Sequence, residues 1–155
     1  MKRLAPVGVL ALAALLSACG GSSAYVAPPN SFPTTQNLPS LQLNGRVINL
    51  NTVGSGYKYA KLSVNVQFQD VTGQYVRANG AALTKLETDF AAANSATISA
   101  FNDVLTTDVS QKSANDLATA QGLESLRQQL IKDFNVRLAG PPPVLYVEFT
   151  DFVMQ

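Results

Sequence analysis

One cysteine is the residue of this chain best suited to covalent chemistry. Cys19 closes the run Leu16-Ser17-Ala18-Cys19 and is the only cysteine among the 155 residues. Lys2 and Arg3 give a positive amino-terminal region, and residues 4–16 form an apolar stretch. This order is typical of an export signal whose cleavage site accepts only short side chains. The thiol at that site can form a thioether.

The run resembles the bacterial lipobox. The resemblance implies that a diacylglycerol joins the Cys19 sulfur, that cleavage falls between Ala18 and Cys19, and that the new amino terminus is acylated. Each buried methylene contributes about 0.8 kcal/mol, so membrane lipid would hold the mature chain on the periplasmic side of a membrane. Two alternatives remain open. One is an ordinary secretory signal with an incidental cysteine, and the other is a transmembrane anchor, for which the apolar stretch falls short of the ~20 residues needed.

Other catalytic chemistry has little support in the sequence. The chain has no histidine, the commonest general base and metal ligand near neutral pH. Ser110, Lys112 and Ser113 could form a serine–lysine pair, but their adjacent spacing favours helix capping. Glu148 and Asp151 could be paired carboxylates, although strict alternation along a strand places them on opposite faces. We therefore predict a protein that is not an enzyme and uses no metal and no cofactor.

Composition predicts one modest domain behind a tether. The formal charge of +1 becomes −1 once Lys2 and Arg3 are removed, and a near-neutral protein is a poor candidate for binding nucleic acid. Four prolines between Cys19 and Ser40 oppose helix and central strand. This segment is either a spacer or a remnant without selected length. We divide the chain into a lipoprotein signal peptide (1–18), a lipidated cysteine with its tether (19–40) and a domain (41–155).

Apolar residues at a period of two predict a hairpin at the start of the domain. Residues 41–50 form a β-like segment and residues 51–56 a turn; in the strand that follows, the apolar positions are Leu62, Val64, Val66 and Phe68. Tyr57 and Tyr59 are out of phase with Leu62, which suggests a bulge near Ala60. The two tyrosines either form a partner-binding edge or pack beneath a helix. A short strand over residues 74–77 is a further option.

The apolar period then becomes that of a helix. A helix is predicted from about residue 82 to residue 106, with a weak point at Asn94-Ser95. Its many small residues could admit a neighbouring subunit or face the core. Ser113 and Asp116 have the spacing of a capping box for a second helix. A third helix is predicted from near Thr119 to Gly140, where three prolines follow.

The last residues predict a strand that docks beside the hairpin. Residues 144–155 are rich in β-branched and aromatic side chains, and a terminal strand needs a sheet to hold it. Strict alternation would place Leu145, Val147 and Phe149 on one face. The predicted fold class is therefore α+β, with a small antiparallel or mixed sheet and about three helices packed on one face.

The same tail closely resembles the terminal signature of the FliL family, the flagellar basal-body-associated proteins. That signature is an aromatic-Thr-acidic-Phe-aliphatic-aliphatic-Gln run, formed here by Phe149, Thr150, Asp151, Phe152, Val153, Met154 and Gln155. Residues 47–64 and 112–124 are similar to two further stretches of the family, in the same order. The resemblance covers about residues 41–155.

The resemblance implies a stomatin/SPFH-like domain that assembles into a homo-oligomeric ring around the ion-driven stator units and supports torque. At the amino terminus, this chain has a lipobox and a tether, where members of the family usually have a transmembrane helix. Two functions follow as alternatives: a flagellar motor accessory protein, or an envelope lipoprotein that uses the domain as a general scaffold or binding module. Gly20 after Cys19 favours the outer membrane by the sorting rule of many Gram-negative bacteria, whereas stators lie in the inner membrane.

Replacing the sulfur tests the anchor. In the variant Cys19→Ser we expect an uncleaved or soluble protein, because a hydroxyl does not form the thioether. Metabolic labelling with palmitate, followed by detergent partitioning, measures both properties. Equal labelling of the variant and the parent protein would contradict lipidation at Cys19.

Overall fold

The computed structural model describes residues 36–51, 58–138 and 140–155. The predicted signal peptide, Ala18, Cys19 and Tyr57 lie outside these ranges, as does most of the tether. The elements in chain order are β1 (Ser40–Asn49), β2 (Tyr59–Phe68), α1 (Gln74–Arg77), α2 (Gly80–Ala93), α3 (Ser95–Ser110), α4 (Ala114–Leu117), α5 (Ala120–Leu138) and β3 (Val144–Met154). This is the α+β class that the sequence predicted.

The three strands form one antiparallel sheet with β2 in the centre, in the order β1-β2-β3. The hairpin and the docking of the terminal strand beside it are therefore confirmed. Side chains at alternate positions of β2 are completely or almost completely buried, namely Ala60, Leu62, Val64, Val66 and Phe68. The period-two pattern of the sequence thus identified the core face of the central strand.

The expected bulge near Ala60 is wrong. Ala60 pairs in register with Ile48 on one side and Met154 on the other. Tyr59 simply faces the opposite side of the sheet from Leu62, so no extra residue is needed to explain its phase. The irregularities lie on the outer strands instead: β1 shifts register between Leu43 and Arg46, and β3 shifts register twice.

The two shifts of β3 correct the prediction of strict alternation. Val66 pairs with Val147 and Phe68 with Val144, so Leu145 is an extra residue and both valines face the core. Ser63 pairs with Asp151 and Val64 with Phe149, so Thr150 is the second extra residue. A bulge of this kind inserts one unpaired residue and redirects the side chains beyond it.

Helices α3 and α5 cover one face of the sheet and pack against each other. Their buried side chains continue the core, and stacked aromatic rings connect the layers. The ring of Phe101 on α3 is 6.1 Å from that of Phe68 on β2 and 4.2 Å from that of Phe134 on α5, nearly parallel to both. Each buried aromatic ring removes a large apolar area from water, so this stack is a main source of stability.

The helix predicted over residues 82–106 is two helices. The weak point was placed correctly, because α2 ends at Ala93 and α3 begins at Ser95. Between them, Asn94 donates a hydrogen bond from Nδ2 to the carbonyl of Phe90 at 2.8 Å. An asparagine side chain that bonds the preceding turn competes with continuation of the helix.

Residues 74–77 form a helical turn, so the optional strand at this place is wrong. Asp70 explains the turn, because its carboxylate accepts hydrogen bonds from the backbone N–H groups of Gln74, Tyr75 and Val76 at 2.8–3.2 Å. Burial opposes ionisation, but the hydrogen bonds from Val76, Thr72 and Tyr75 outweigh it and lower the pKa of Asp70. Gly73 precedes the turn with φ at +66°, which glycine adopts without strain.

The first residues of α4 and α5 agree with the helix starts that the sequence predicted. Ser113 and Asp116 form the predicted capping box, and hydrogen bonds from Ser113 lower the pKa of Asp116. The Oγ1 of Thr119 accepts the N–H of Gly122 at 3.0 Å and caps α5. A Cβ at Gly122 would lie 1.6 Å from the carbonyl oxygen of Asp116, so glycine is required for α4 and α5 to approach each other.

Removing the terminal half of β3 should unfold the domain. Deletion of residues 149–155 takes away three apolar side chains that pack against the core, and each contributes up to about 1.5–3 kcal/mol when fully buried. A domain of this size has roughly 5–15 kcal/mol in total. Thermal unfolding followed by circular dichroism measures the loss, with Val153→Ala as an outward-facing control. A truncated domain that melts like the parent would contradict the structural role of the strand.

Candidate functional site

Among the described residues, the helices cover one face of the sheet and leave an apolar patch on the other. The register places Val47, Lys61 and Val153 in one row across the three strands, and Tyr59 lies in the next row. The exposed fractions are 63% for Val47, 36% for Tyr59 and 43% for Val153. We call these four residues the outer patch. Three exposed apolar side chains grouped on one face are typical of an interaction surface.

Tyr59 therefore does not pack beneath a helix, which was one of the two alternatives for the tyrosines. Its hydroxyl donates to Oε1 of Gln155 at 2.8 Å, and the backbones of the two residues exchange two hydrogen bonds of 2.9 Å. These contacts tie the last residue of the chain to the central strand. These hydrogen bonds hold the end of β3 that carries the outer patch against β2.

The family-type signature at the tail divides between the two faces of the sheet. Phe149, Phe152 and Met154 face the helices, where they are partly buried against the core. Asp151 and Val153 face the open side. Thr150 is the bulge residue between these two groups. Its Oγ1 accepts a hydrogen bond of 3.2 Å from Nε2 of Gln42 on β1.

Glu148 and Asp151 lie on the same face, which corrects the prediction that alternation separates them. The extra residue Thr150 changes the phase, so Glu148 pairs with Asn65 and Asp151 with Ser63. Asp151 also has Lys61 as an ionic neighbour, at 3.9 Å between Nζ and Oδ2, with both side chains about half exposed. An ion pair this exposed contributes little to stability. Glu148 and Asp151 thus form a polar border beside the outer patch.

The outer edge of β3 is partly occupied by side chains of α5. Asn135 donates from Nδ2 to the carbonyl of Val144 at 3.0 Å and accepts the N–H of the same residue at 2.8 Å. Arg127 donates from Nε to the carbonyl of Val147 at 2.8 Å, forms an ion pair with Glu124 and lies 5.5 Å from the ring of Phe149. These contacts satisfy backbone groups that an added strand would otherwise use.

The serine–lysine alternative is not supported by the geometry. Ser110 donates from its hydroxyl to the carbonyl of Thr107 at 2.9 Å, and Ser113 belongs to the capping box of α4. Lys112 donates from Nζ to Oε1 of Gln129 on α5 at 2.6 Å. Each of these polar groups therefore serves a helix end or a contact between helices.

A buried carboxylate between α3 and α5 was not identified from the sequence. Asp108 is only 6% exposed, and its Oδ2 has no hydrogen-bond partner among the described residues. Burial raises the pKa of Asp108 to about 6, and the negative charge of Asp133 adds to the rise. The side chain of Gln129 and the charge of Lys112 act in the opposite direction. The sequence does contain a signal for this buried carboxylate. Asp108 follows Leu105 by one helical turn, so it lies on the core-facing side of the helix.

Two broader properties concern the described ranges alone. Within them, none of the helices combines the length and apolar character that crossing a membrane requires. The same ranges bring together no group of three or more carboxylate, histidine or cysteine side chains suited to hold a metal ion.

Comparison with models of known protein families identifies a match. A family model described as "Flagellar basal body-associated protein FliL" matches residues 41–155. The match runs from the second residue of β1 to the end of the chain, so it spans every helix and strand described above. No curated protein sequence matches the chain.

Asp108→Asn should stabilise the domain at neutral pH. Because the folded state holds the carboxyl proton up to about pH 6, the contribution of Asp108 to stability is full below about pH 4 and is lost as the pH rises through 6. Removing the charge should therefore raise the free energy of unfolding at pH 7.5 by about 1–2 kcal/mol, after allowance for water penetration. This increase in the free energy of unfolding should vanish near pH 4, where the carboxyl of Asp108 is already protonated in the folded state.

Urea unfolding at several pH values measures this effect. Asp103→Asn is the control, because Asp103 is exposed on the same helix and its loss should change little. A D108N protein that is less stable than its parent at pH 7.5 would mean that the carboxylate contributes a favourable contact in the folded state.

Proposed function

The chain belongs to the FliL family of flagellar basal body-associated proteins, and on that premise we propose that it is a membrane-anchored, non-enzymatic accessory protein of the flagellar motor. Its domain would form a ring around ion-driven stator units and support their torque. The observation that carries this proposal is the family match over the whole domain, residues 41–155.

The anchor in this proposal is the lipid on Cys19, with residues 20–35 as the link to the domain. Attachment to a membrane confines the subunits to two dimensions and raises their effective concentration. Weak contacts between neighbouring domains are then sufficient for assembly. A purified soluble domain can therefore be monomeric while the anchored protein forms rings.

We assign the contact between subunits to the outer patch. Packing against the core explains why the signature has apolar residues at Phe149, Phe152 and Met154, but it does not explain Val153, which is 43% exposed. Val153 and Val47 lie in the same row on either side of Lys61, and Asp151 is the ionic neighbour of that lysine. Exposed apolar side chains combined with a charged pair offer a partner both apolar area and polar contacts, which are the two components of a protein interface.

A ring requires that the outer patch meets a different surface of the next subunit, because a contact of a patch with itself closes as a dimer. The wet face of β2, with Ser63, Asn65 and Gln67, extends the patch toward the opposite end of the sheet. These polar side chains allow the contact to remain soluble when the subunit is free. The geometry is consistent with a reversible interface.

Charged substitutions test the assembly. We expect Val153→Lys and Val47→Lys to reduce swimming under high load, because a buried ammonium group at the contact costs several kcal/mol. Val76→Lys is the matched control, since Val76 is 52% exposed on α1, away from the patch. All three variants should melt like the parent protein, because the native side chains are exposed.

Crosslinking in intact cells measures the contact directly. Cys19 carries lipid in this proposal, so Val153→Cys would supply the single free thiol, and a photoreactive maleimide attached to it should link to whichever surface of the adjacent subunit faces the patch. Val76→Cys should give none above background. A strain that lacks the gene and swims normally under load would refute the motor role, while crosslinking in that case would favour the general envelope scaffold.

A further inference from the structure

An apolar groove lies between α1 and α2 at the end of the molecule where the described chain begins. Ala78, Ala82 and Leu86 line it together with the stems of Arg77 and Lys85, and its volume is about 510 Å³. A second cavity of about 320 Å³ adjoins it at Leu86 and continues toward Pro39 and Phe90. Volumes of this size accommodate side chains or small ligands. We call the first cavity the α1–α2 groove.

The elements around the groove are incompletely covered by the described residues. No residue of α2 is fully buried, and its apolar stripe at Leu83, Leu86 and Phe90 is only half-buried. Val71, which precedes α1 and lines the second cavity, is 63% exposed. An amphipathic helix normally buries its apolar stripe, so this surface has the character of a receptor for a further segment.

The path of the chain indicates which segment that is. Asn37 donates from Nδ2 to the carbonyl of Ala78 at 3.0 Å, so the chain enters the domain at the wall of the groove. Phe32 and Pro33 precede it, and the five steps from Phe32 to Asn37 span at most roughly 18 Å in a fully extended chain. Phe32 is the aromatic residue closest to this entry point among residues 19–35.

We propose that Phe32 and Pro33 of the tether dock in the α1–α2 groove of their own domain. A proline-containing segment suits this site because it binds in a groove through its side chains and needs no strand partner. The groove supplies aliphatic walls for an aromatic ring. The segment is covalently joined nearby, so its effective concentration is high and a modest affinity is enough to keep it bound.

Docking would fix the direction in which the tether leaves the domain. Residues 20–31 would then remain as the free link, with a reach of about 37 Å at about 3.1 Å per residue. Given the lipid anchor proposed above, the end of the domain that carries α1 and α2 would face the membrane. Neighbouring subunits would present their outer patches at one common orientation.

The experiment uses residues 19–155 with Cys19→Ser, which gives a soluble chain without a thiol. Nuclear Overhauser contacts should connect the ring protons of Phe32 with the methyl groups of Ala82 and Leu86. Phe32→Ser should abolish them and speed hydrogen exchange of the α1 and early α2 amides by about fivefold, as loss of a weakly held local contact does. Thermal unfolding checks that every variant is folded.

Two neighbouring alanines on α2 give a matched pair. Ala82→Glu places a carboxylate in the groove and should reproduce the effect of Phe32→Ser, whereas Ala81→Glu is exposed outside the lining and should behave like the parent. Absence of the contacts in the parent would overturn the proposal. So would contacts found only between differently labelled chains in a mixed sample, since the occupant would then be a second copy. Neither readout depends on motility or ring formation, so this test stands apart from that of the proposed function.

Discussion

The buried face of β2 is the constraint on which the rest of the structure depends. This strand is the only one of the described sheet with a neighbour on both sides, and its inward residues have essentially no exposure. Phe68 at its end begins the aromatic stack that continues through Phe101 to Phe134, and it also contacts Phe90 edge-on at 5.2 Å. The hairpin, the terminal strand and three helices are therefore all held against one row of side chains.

The bulge at Thr150 allows the terminal strand to serve two purposes. Before it, Phe149 faces the core opposite Val64; after it, Phe152 faces the core opposite Leu62, although the two phenylalanines are three residues apart. The same insertion brings Asp151 and Val153 to the open face. A short run of sequence thus contributes both to packing and to the open face of the sheet, which explains why its composition mixes aromatic, acidic and aliphatic residues.

The sequence was most informative where a pattern reports on a single element. The alternation in β2, the capping box at Ser113 and the stop at Gly140 all depend on local chemistry, and the structure agrees with each. The errors at the bulges and at Asp108 come from partners that are distant along the chain. A bulge is defined by the register of the opposing strand, and the burial of Asp108 exists only once α3 and α5 are packed together.

The occupied edge of β3 has a consequence wherever many copies of the domain lie close together. Identical domains held side by side at high density can join strand to strand, and such unlimited pairing leads toward fibrillar aggregates. Asn135 and Arg127 engage the backbone of Val144 and Val147, so an incoming strand must displace both side chains before it gains its first hydrogen bonds. The helix that completes the core therefore also protects the outer edge of β3 against pairing with a strand of another copy.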